Sequence, residues 1–386
     1  MTLEPRADAA QRAADRFVVL DVVRFVAAMS VLVYHYKSKY LEAFTGDPVV
    51  AKAVYAVTKF GYLGVDLFFI ISGFVIFASA LGRTPGQFAV SRITRIYPTL
   101  WVCVTLTALV VVATGAGSIS LGQWAANLTL FNRRLGIEDV DGVYWTLEVE
   151  VKFYACVFAL LLTGLFRHYR VWLCAWLALT VAFLLTRQPF FLGWFVSPEY
   201  SSYFIAGIVF FLARREGFHR FHVSILLACL ALSSIYAHGA LDSFAKGVTE
   251  LDRWIAVGLV GCFYLLFYAI ASGRLTAGAS MAALNLGGVT YPLYLLHNRA
   301  GKALFDLWRD AVDPLVLACL IAALIVGLSW LVHVYLERRI ADRLKAYLFA
   351  VLGRLPGRGA GGAPAQADSA SSASRRDAGA SPNQGG

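Results

Sequence analysis

The 386-residue chain is 59% hydrophobic and only 15% charged, with a mean hydropathy of +0.65. These values exclude a water-soluble globule and point to a membrane protein. The formal net charge of +10 is spread over loops and tail, which reads as membrane topology and not as a nucleic-acid surface.

Ten apolar stretches are predicted to span, at 17–37, 60–81, 98–114, 145–166, 170–186, 200–213, 223–238, 253–272, 286–305 and 314–335. Each approaches the ~20 residues that cross a ~30 Å hydrocarbon core, the sixth being the shortest. No alternating ten-residue strands of the outer-membrane barrel type occur between them, so the backbone must satisfy itself as helices. The predicted class is an all-α polytopic membrane protein, with about ten transmembrane helices around a polar cavity. Residues 1–16 read as a cytoplasmic N-terminal segment, 17–340 as the membrane domain and 341–356 as a basic juxtamembrane segment. Residues 357–386, rich in Gly, Ala, Ser and Pro, read as a disordered cytoplasmic tail. Arg6, Arg12 and Arg16 before an apolar run imitate a signal peptide, but Asp21 and Arg24 inside that run predict a retained helix. Ten spans put both termini on one side, and the excess of Lys and Arg there, mostly after Tyr335, places them in the cytoplasm of a multi-pass inner-membrane protein. Cys103, Cys156, Cys174, Cys229, Cys262 and Cys319 all fall within spans without C-x-x-C or metal-like spacing, and are expected to be free, buried and structural. No metal is expected, and no inverted half-to-half symmetry is visible.

The first span, "LDVVRFVAAMSVLVYHY", holds three ionisable residues. Arg24 and His35 are eleven residues apart, three turns plus about 20°, so they share a helix face with ~16 Å of rise between them. Asp21 joins Arg24 at i,i+3. Charges near mid-bilayer cost about 2.5–3.5 kcal/mol, so such groups face a polar interior unless they snorkel to headgroups, and both readings stand for this helix taken alone.

The second span opens "GYLGVDLFFIISGF" and sets Asp66 at a depth similar to His35, where a carboxylate can fix an imidazole's tautomer. The alternative is an Asp capping a helix start. The loop that follows reads "SRITRIYPTLW", with Arg92 and Arg95 at i,i+3 and Pro98 near the start of the third span. Two guanidiniums so spaced form a phosphate clamp, or else anchor the positive-inside side. The fourth span begins "VYWTLEVEVKFY". Glu148 and Lys152 are spaced to pair at i,i+4, which leaves Glu150, about 200° around the helix from Glu148, to face the cavity. The alternative is a charged helix end at the interface. In the ninth span, "GGVTYPLYLLHNRAG" places His297 beyond a kinking Pro292, with Gly287 and Gly288 loosening the helix entry. His297 either lines the cavity or bonds a neighbouring backbone carbonyl.

These motifs, in this order on ten spans, resemble the acyltransferase-3 family of integral membrane O-acyltransferases over about residues 17–340. The resemblance implies transfer of an acyl group, most often acetyl, from cytoplasmic acyl-CoA to a hydroxyl of an envelope polysaccharide or lipid-linked sugar. It carries roles onto Arg24, Arg92 and Arg95 as acyl-CoA-binding residues and onto His35 and Glu150 as catalytic residues. Asp66 joins the catalytic set, and Glu148, Tyr291 and His297 are assigned to the substrate cavity. The usual S-V-E-E-Q-F-Y appears here as "EVEVKFY" over 148–154, with Val151 replacing the second acidic residue. Acyl-CoA is the expected co-substrate. The expected partners are the bilayer, a carbohydrate acceptor and polysaccharide assembly proteins, with no nucleic acid. A transporter or flippase of a lipid-linked saccharide, with the buried charges as its path, is the competing class, and a scaffold subunit is a third.

Overall fold

The computed structural model describes residues 4–37, 48–186, 193, 197–275 and 286–354, which are helical with no strand among them. The chain runs through α1 (Glu4–Tyr36), α2 (Pro48–Thr58), a 3-10 turn at Lys59–Leu63 and α3 (Gly64–Ala80). Next come α4 (Pro85–Ala113), the short α5 (Leu121–Asn127), α6 (Trp145–Leu162), α7 (Tyr169–Thr186) and α8 (Pro198–Glu216). The rest comprises α9 (Arg220–Phe244), α10 (Glu250–Ala271), α11 (Leu286–Leu296) and α12 (Arg299–Trp308). It closes with α13 (Pro314–Leu331), a π-helical turn at Val332–Glu337 and α14 (Arg338–Arg354).

Among the described residues, seven helical stretches are long and apolar enough to cross a bilayer: Val18–Tyr36, Pro48–Ala80, Pro85–Ala113, Tyr169–Thr186, Arg220–Phe244, Glu250–Ala271 and Pro314–Gly353. The protein is thus a polytopic helical membrane protein. α6 and α8, of 18 and 19 residues, are long enough but too charged to join these stretches, while α11 and α12, of 11 and 10 residues, are too short. In α8 the reason is burial. Thirteen of its residues are buried, and Ser201 and Ser202 bond Thr180 at 2.8 Å and Ser233 at 2.9 Å. A helix surrounded by protein has no lipid to face, so it tolerates polar residues that satisfy one another.

Several boundaries differ from those predicted, α1 beginning at Glu4 and the second apolar stretch at Pro48, well before residues 17 and 60. Arg92 and Arg95, expected in a loop, lie well inside α4, and Pro98, expected at its start, is interior. Thr84 and Gln87 form a capping box with Pro85 at the first helical position, so the helix nucleates two turns before the arginines. The ninth span breaks in two at His297–Asn298. The last span continues through the π-helical turn into α14, which absorbs the expected juxtamembrane segment and packs Leu352 3.5 Å from where a Cβ on Gly86 would stand. The tail expected at 357–386 lies outside the described residues.

Glycines set the closest helix crossings. A Cβ on Gly207 of α8 would collide with the backbone of α3, standing 2.8 Å from Phe74 N and 3.0 Å from the Gly73 Cα, and one on Gly73 would collide with the backbone of Phe204. Gly64 similarly lets α3 close on α1, where a Cβ would fall 2.6 Å from the Ala27 carbonyl oxygen. Close backbone approach of this kind is what holds helices together where the surrounding solvent is as apolar as the side chains.

The cysteines are free, but not all are buried: Cys103 and Cys229 are, Cys156 is half-buried, and Cys174, Cys262 and Cys319 lie on the outside of their helices. On a lipid-facing surface a thiol behaves as a small apolar group, so an apolar span does not imply a buried cysteine.

Candidate functional site

Two cavities lie end to end inside the bundle. One, of about 240 Å³, is lined by Arg24, Ser72, Arg92, Arg95, Glu150, Tyr154 and Tyr291, among others. The other, of about 640 Å³, is lined by His35, Asp66, Glu199, Asn298 and Lys302, with aromatic side chains that include Trp145, Tyr200 and Tyr203. Val65 and Tyr294 line both, so they form the constriction between them. The Tyr294 hydroxyl is held by Thr146 at 3.0 Å and its ring meets Phe68 edge-on at 5.6 Å.

The arginine cavity is built by five helices, α1, α3, α4, α6 and α11. From α1, Arg24 pairs with Asp21 at 2.9 Å, as the i,i+3 spacing anticipates. Gly287 makes room, because any Cβ there would overlap the Asp21 carboxylate. The Gly287–Gly288 pair, expected to loosen a helix entry, therefore serves close approach, since Gly288 likewise gives way to the His333 ring. From α4, Arg92 donates to Ser91 Oγ at 3.0 Å, lies against the rings of Phe88 and Tyr154, and keeps a buried Nε without a hydrogen-bond partner. Arg95 pairs with Glu337 at 3.2 Å and rests on the ring of Tyr291, whose hydroxyl donates to the Ile96 carbonyl at 3.3 Å. From α6, Glu150 accepts from Ser72 at 3.2 Å and from Tyr154 at 2.7 Å. Three guanidiniums facing two engaged carboxylates and one in the cavity wall leave donor capacity for an anion.

Glu148 is not part of either lining. It bonds Arg134 at 2.5 Å, outside the cavities, so the predicted place for it in the substrate cavity is corrected. Two residues of helix separate it from Glu150 by about 200°, and only one of the pair can face inward.

In the histidine cavity, His35 lines the space from the end of α1 opposite Arg24's turn. Asp66 lines the same cavity, and its carboxyl bonds the Tyr203 hydroxyl. Glu150 belongs to the other cavity, so the two carboxylates named as candidate partners of His35 are not brought together around it. Two rings stand against His35: that of its neighbour Tyr34, with centroids 5.1 Å apart, and that of His297, with centroids 5.2 Å apart. His297 sits behind His35 and is not in the lining itself. Its Nδ1 lies 2.7 Å from the Tyr294 carbonyl, which is the backbone bond a buried histidine often makes.

Sequence reasoning missed the groups that brace these residues. Glu337 and His333, joined at 2.8 Å on the π-helical turn, close the arginine cavity's salt-bridge chain. Their i,i+4 spacing at the end of an apolar span is the signal that could have found them. Asp141, buried in the connection before α6, accepts from Asn298 Nδ2 at 2.6 Å and from the Arg299 amide at 2.7 Å, capping α12 from a distant segment. Burial raises that carboxyl above its usual range, and the donors from Arg299, Asn298 and Val143 oppose the rise. Nothing local in the sequence marks Asp141. Among the described residues no group of His, Cys, Asp and Glu is arranged to hold a metal.

Residues 17–334 match the family model described as an acyltransferase domain. Two curated relatives match parts of the chain. Nodulation protein 10 of Rhizobium leguminosarum bv. viciae is 30% identical over 155 residues, 35% of this chain and 41% of the relative. Protein 2 in the picA locus of Rhizobium radiobacter is 37% identical over 102 residues, 24% of this chain and 45% of the relative. The chain thus spans less than half the length of each of these relatives. No solved structure matches. With a family match over most of its length and a helical membrane bundle around a polar interior, the chain belongs to the acyltransferase-3 family of membrane acyltransferases.

Proposed function

We propose that this protein moves an acyl group, acetyl in the first instance, from cytoplasmic acyl-CoA to a hydroxyl of an envelope polysaccharide or lipid-linked sugar at the inner membrane. The observation that carries the reading is the end-to-end pair of cavities, with arginines lining one and an imidazole lining the other. Arg24, Arg92 and Arg95 bind the phosphates of the donor, and the arginine cavity opens to the cytoplasm. The pantetheine arm then runs toward the Val65–Tyr294 constriction and delivers the thioester to the histidine cavity.

There the acceptor hydroxyl is deprotonated at His35 as its oxygen bonds the thioester carbonyl carbon. The carbon–sulfur bond breaks, and the proton held at His35 passes to the departing thiolate. General-base action of this kind contributes about 10²–10⁴-fold. Asp66, on the same cavity, tunes the field at the imidazole, and Glu150 holds the donor side together through Ser72 and Tyr154. The aromatic side chains of the histidine cavity suit the apolar faces of sugar rings. The names of the two partial relatives specify no acceptor.

Membranes carrying the protein, given radiolabelled acetyl-CoA, are expected to place label on saccharide. His35→Ala abolishes that transfer while the protein stays folded and inserted. Esterification at the wild-type rate by His35→Ala overturns the mechanism. Absence of label from any saccharide with the wild-type protein overturns the reading in favour of transport.

A further inference from the structure

His297 has an arrangement that the mechanism above does not use. Its backbone carbonyl accepts from the Tyr36 hydroxyl at 2.9 Å, and Gly301 leaves the space that this hydroxyl occupies. The following residues, Asn298 and Arg299, are tied to Asp141. The ring is therefore set in a segment anchored on both sides. The residue is 1% exposed.

The ring's chemistry follows from its contacts. A carbonyl oxygen only accepts, so the 2.7 Å contact with the Tyr294 carbonyl puts the proton on Nδ1. In a neutral imidazole Nε2 then carries a lone pair, and here Nε2 is buried with no hydrogen-bond partner among the described residues. Two rings stand beside that of His297: that of Tyr294 at a centroid separation of 5.6 Å and, closer, that of His35 at 5.2 Å with an interplanar angle of 50°. An N–H···N bond of about 2.9 Å between two imidazoles places their centroids roughly 5 Å apart, so a small rotation of His35 closes the contact. His35 faces the cavity, and His297 lies behind it.

We infer that His297 is a positioning residue for His35, accepting its ring N–H at Nε2 and so leaving the other ring nitrogen of His35 as the proton acceptor toward the cavity. The inference rests on the acyl-transfer reading and deepens it. It assigns to a neutral imidazole the orienting role that a carboxylate more often fills. Asp66 is engaged with Tyr203, and Glu150 lies beyond the constriction in the other cavity.

The test uses two replacements that split the ring's functions. His297→Asn keeps a donor where Nδ1 stands and loses the acceptor at Nε2. His297→Gln carries an amide oxygen near the position of Nε2. Both full-length variants are purified in detergent, checked for monodispersity and assayed with labelled acetyl-CoA. His297→Asn is expected to lower kcat about 10²-fold with the KM of acetyl-CoA within about twofold, the scale of a misplaced catalytic group. His297→Gln is expected to recover much of that loss. Equal activity of the two variants, or recovery by Asn in place of Gln, overturns the proposal in favour of a purely structural histidine. If the wild-type protein transfers no label, the acyl-transfer reading fails by itself, and the histidine pair is then decided by histidine-selective ¹⁵N spectra. The Nε2 signal of His297 is expected to shift in His35→Ala, and an unchanged signal overturns the pairing.

Discussion

Removing the two α4 arginines one at a time separates their contributions to donor binding. Among the described residues Arg92 donates to its neighbour Ser91, rests on the rings of Phe88 and Tyr154 and has a buried Nε with no hydrogen-bond partner, so its charge is available to an incoming phosphate. A hydrogen bond to a charged group is worth about 1.5–3 kcal/mol, which corresponds to a roughly 10- to 150-fold rise in the KM of acetyl-CoA for Arg92→Ala with kcat little changed. Arg95 differs, because its guanidinium is 40% exposed and its partner Glu337 only 7%. Arg95→Ala removes a donor and also strips a buried carboxylate of an ion-pair partner beside the proposed phosphate site, so its KM rises at least as far as that of Arg92→Ala. Adding Glu337→Gln to Arg95→Ala then recovers part of the loss, whereas adding it to Arg92→Ala recovers none. The coupling is expected because Arg95 and Glu337 touch and Arg92 is not in that pair. Initial rates of label transfer over a range of acetyl-CoA concentrations, in membranes with matched protein levels, give all the numbers. A KM unmoved by Arg92→Ala, or equal effects of Glu337→Gln in both backgrounds, refutes the reasoning.

Glu150→Gln is expected to reduce label transfer at least tenfold and Glu148→Gln to leave it within about twofold, since only Glu150 faces a cavity; equal losses in the same rate assay would contradict the placement. Tyr294→Ala opens the constriction between the cavities and should raise the rate with butyryl-CoA relative to acetyl-CoA by about an order of magnitude, measured by competition. An unchanged ratio would mean that acyl size is set elsewhere. Gly207→Ala forces α8 away from α3 and is expected to cost about 1–3 kcal/mol, read as a lower midpoint of thermal unfolding in detergent, and a midpoint equal to wild type would contradict the backbone contact.

How much of this was legible beforehand depended on whether a feature is local to one helix. The salt bridge of Asp21 with Arg24 follows from i,i+3 spacing alone, and the divergence of Glu148 from Glu150 follows from the 100° step of a helix. The early start of α4 was also written locally, in the Thr84–Gln87 capping box, yet the apolar run beginning after Pro98 drew the predicted boundary downstream. Hydropathy marks where lipid begins and not where a helix begins.

Composition and periodicity alone established that the chain is a helical membrane protein, and the ordered polar motifs established its resemblance to acyltransferases. Those properties reside in single helices, whose hydrogen bonds and faces are set by near neighbours. Only the tertiary structure decided which polar groups meet: Arg95 with Glu337 across 242 positions, Asn298 with Asp141 across 157, and the ring of His35 with that of His297. Such pairings depend on how helices cross, and the crossings are set by where a glycine lets one backbone rest on another.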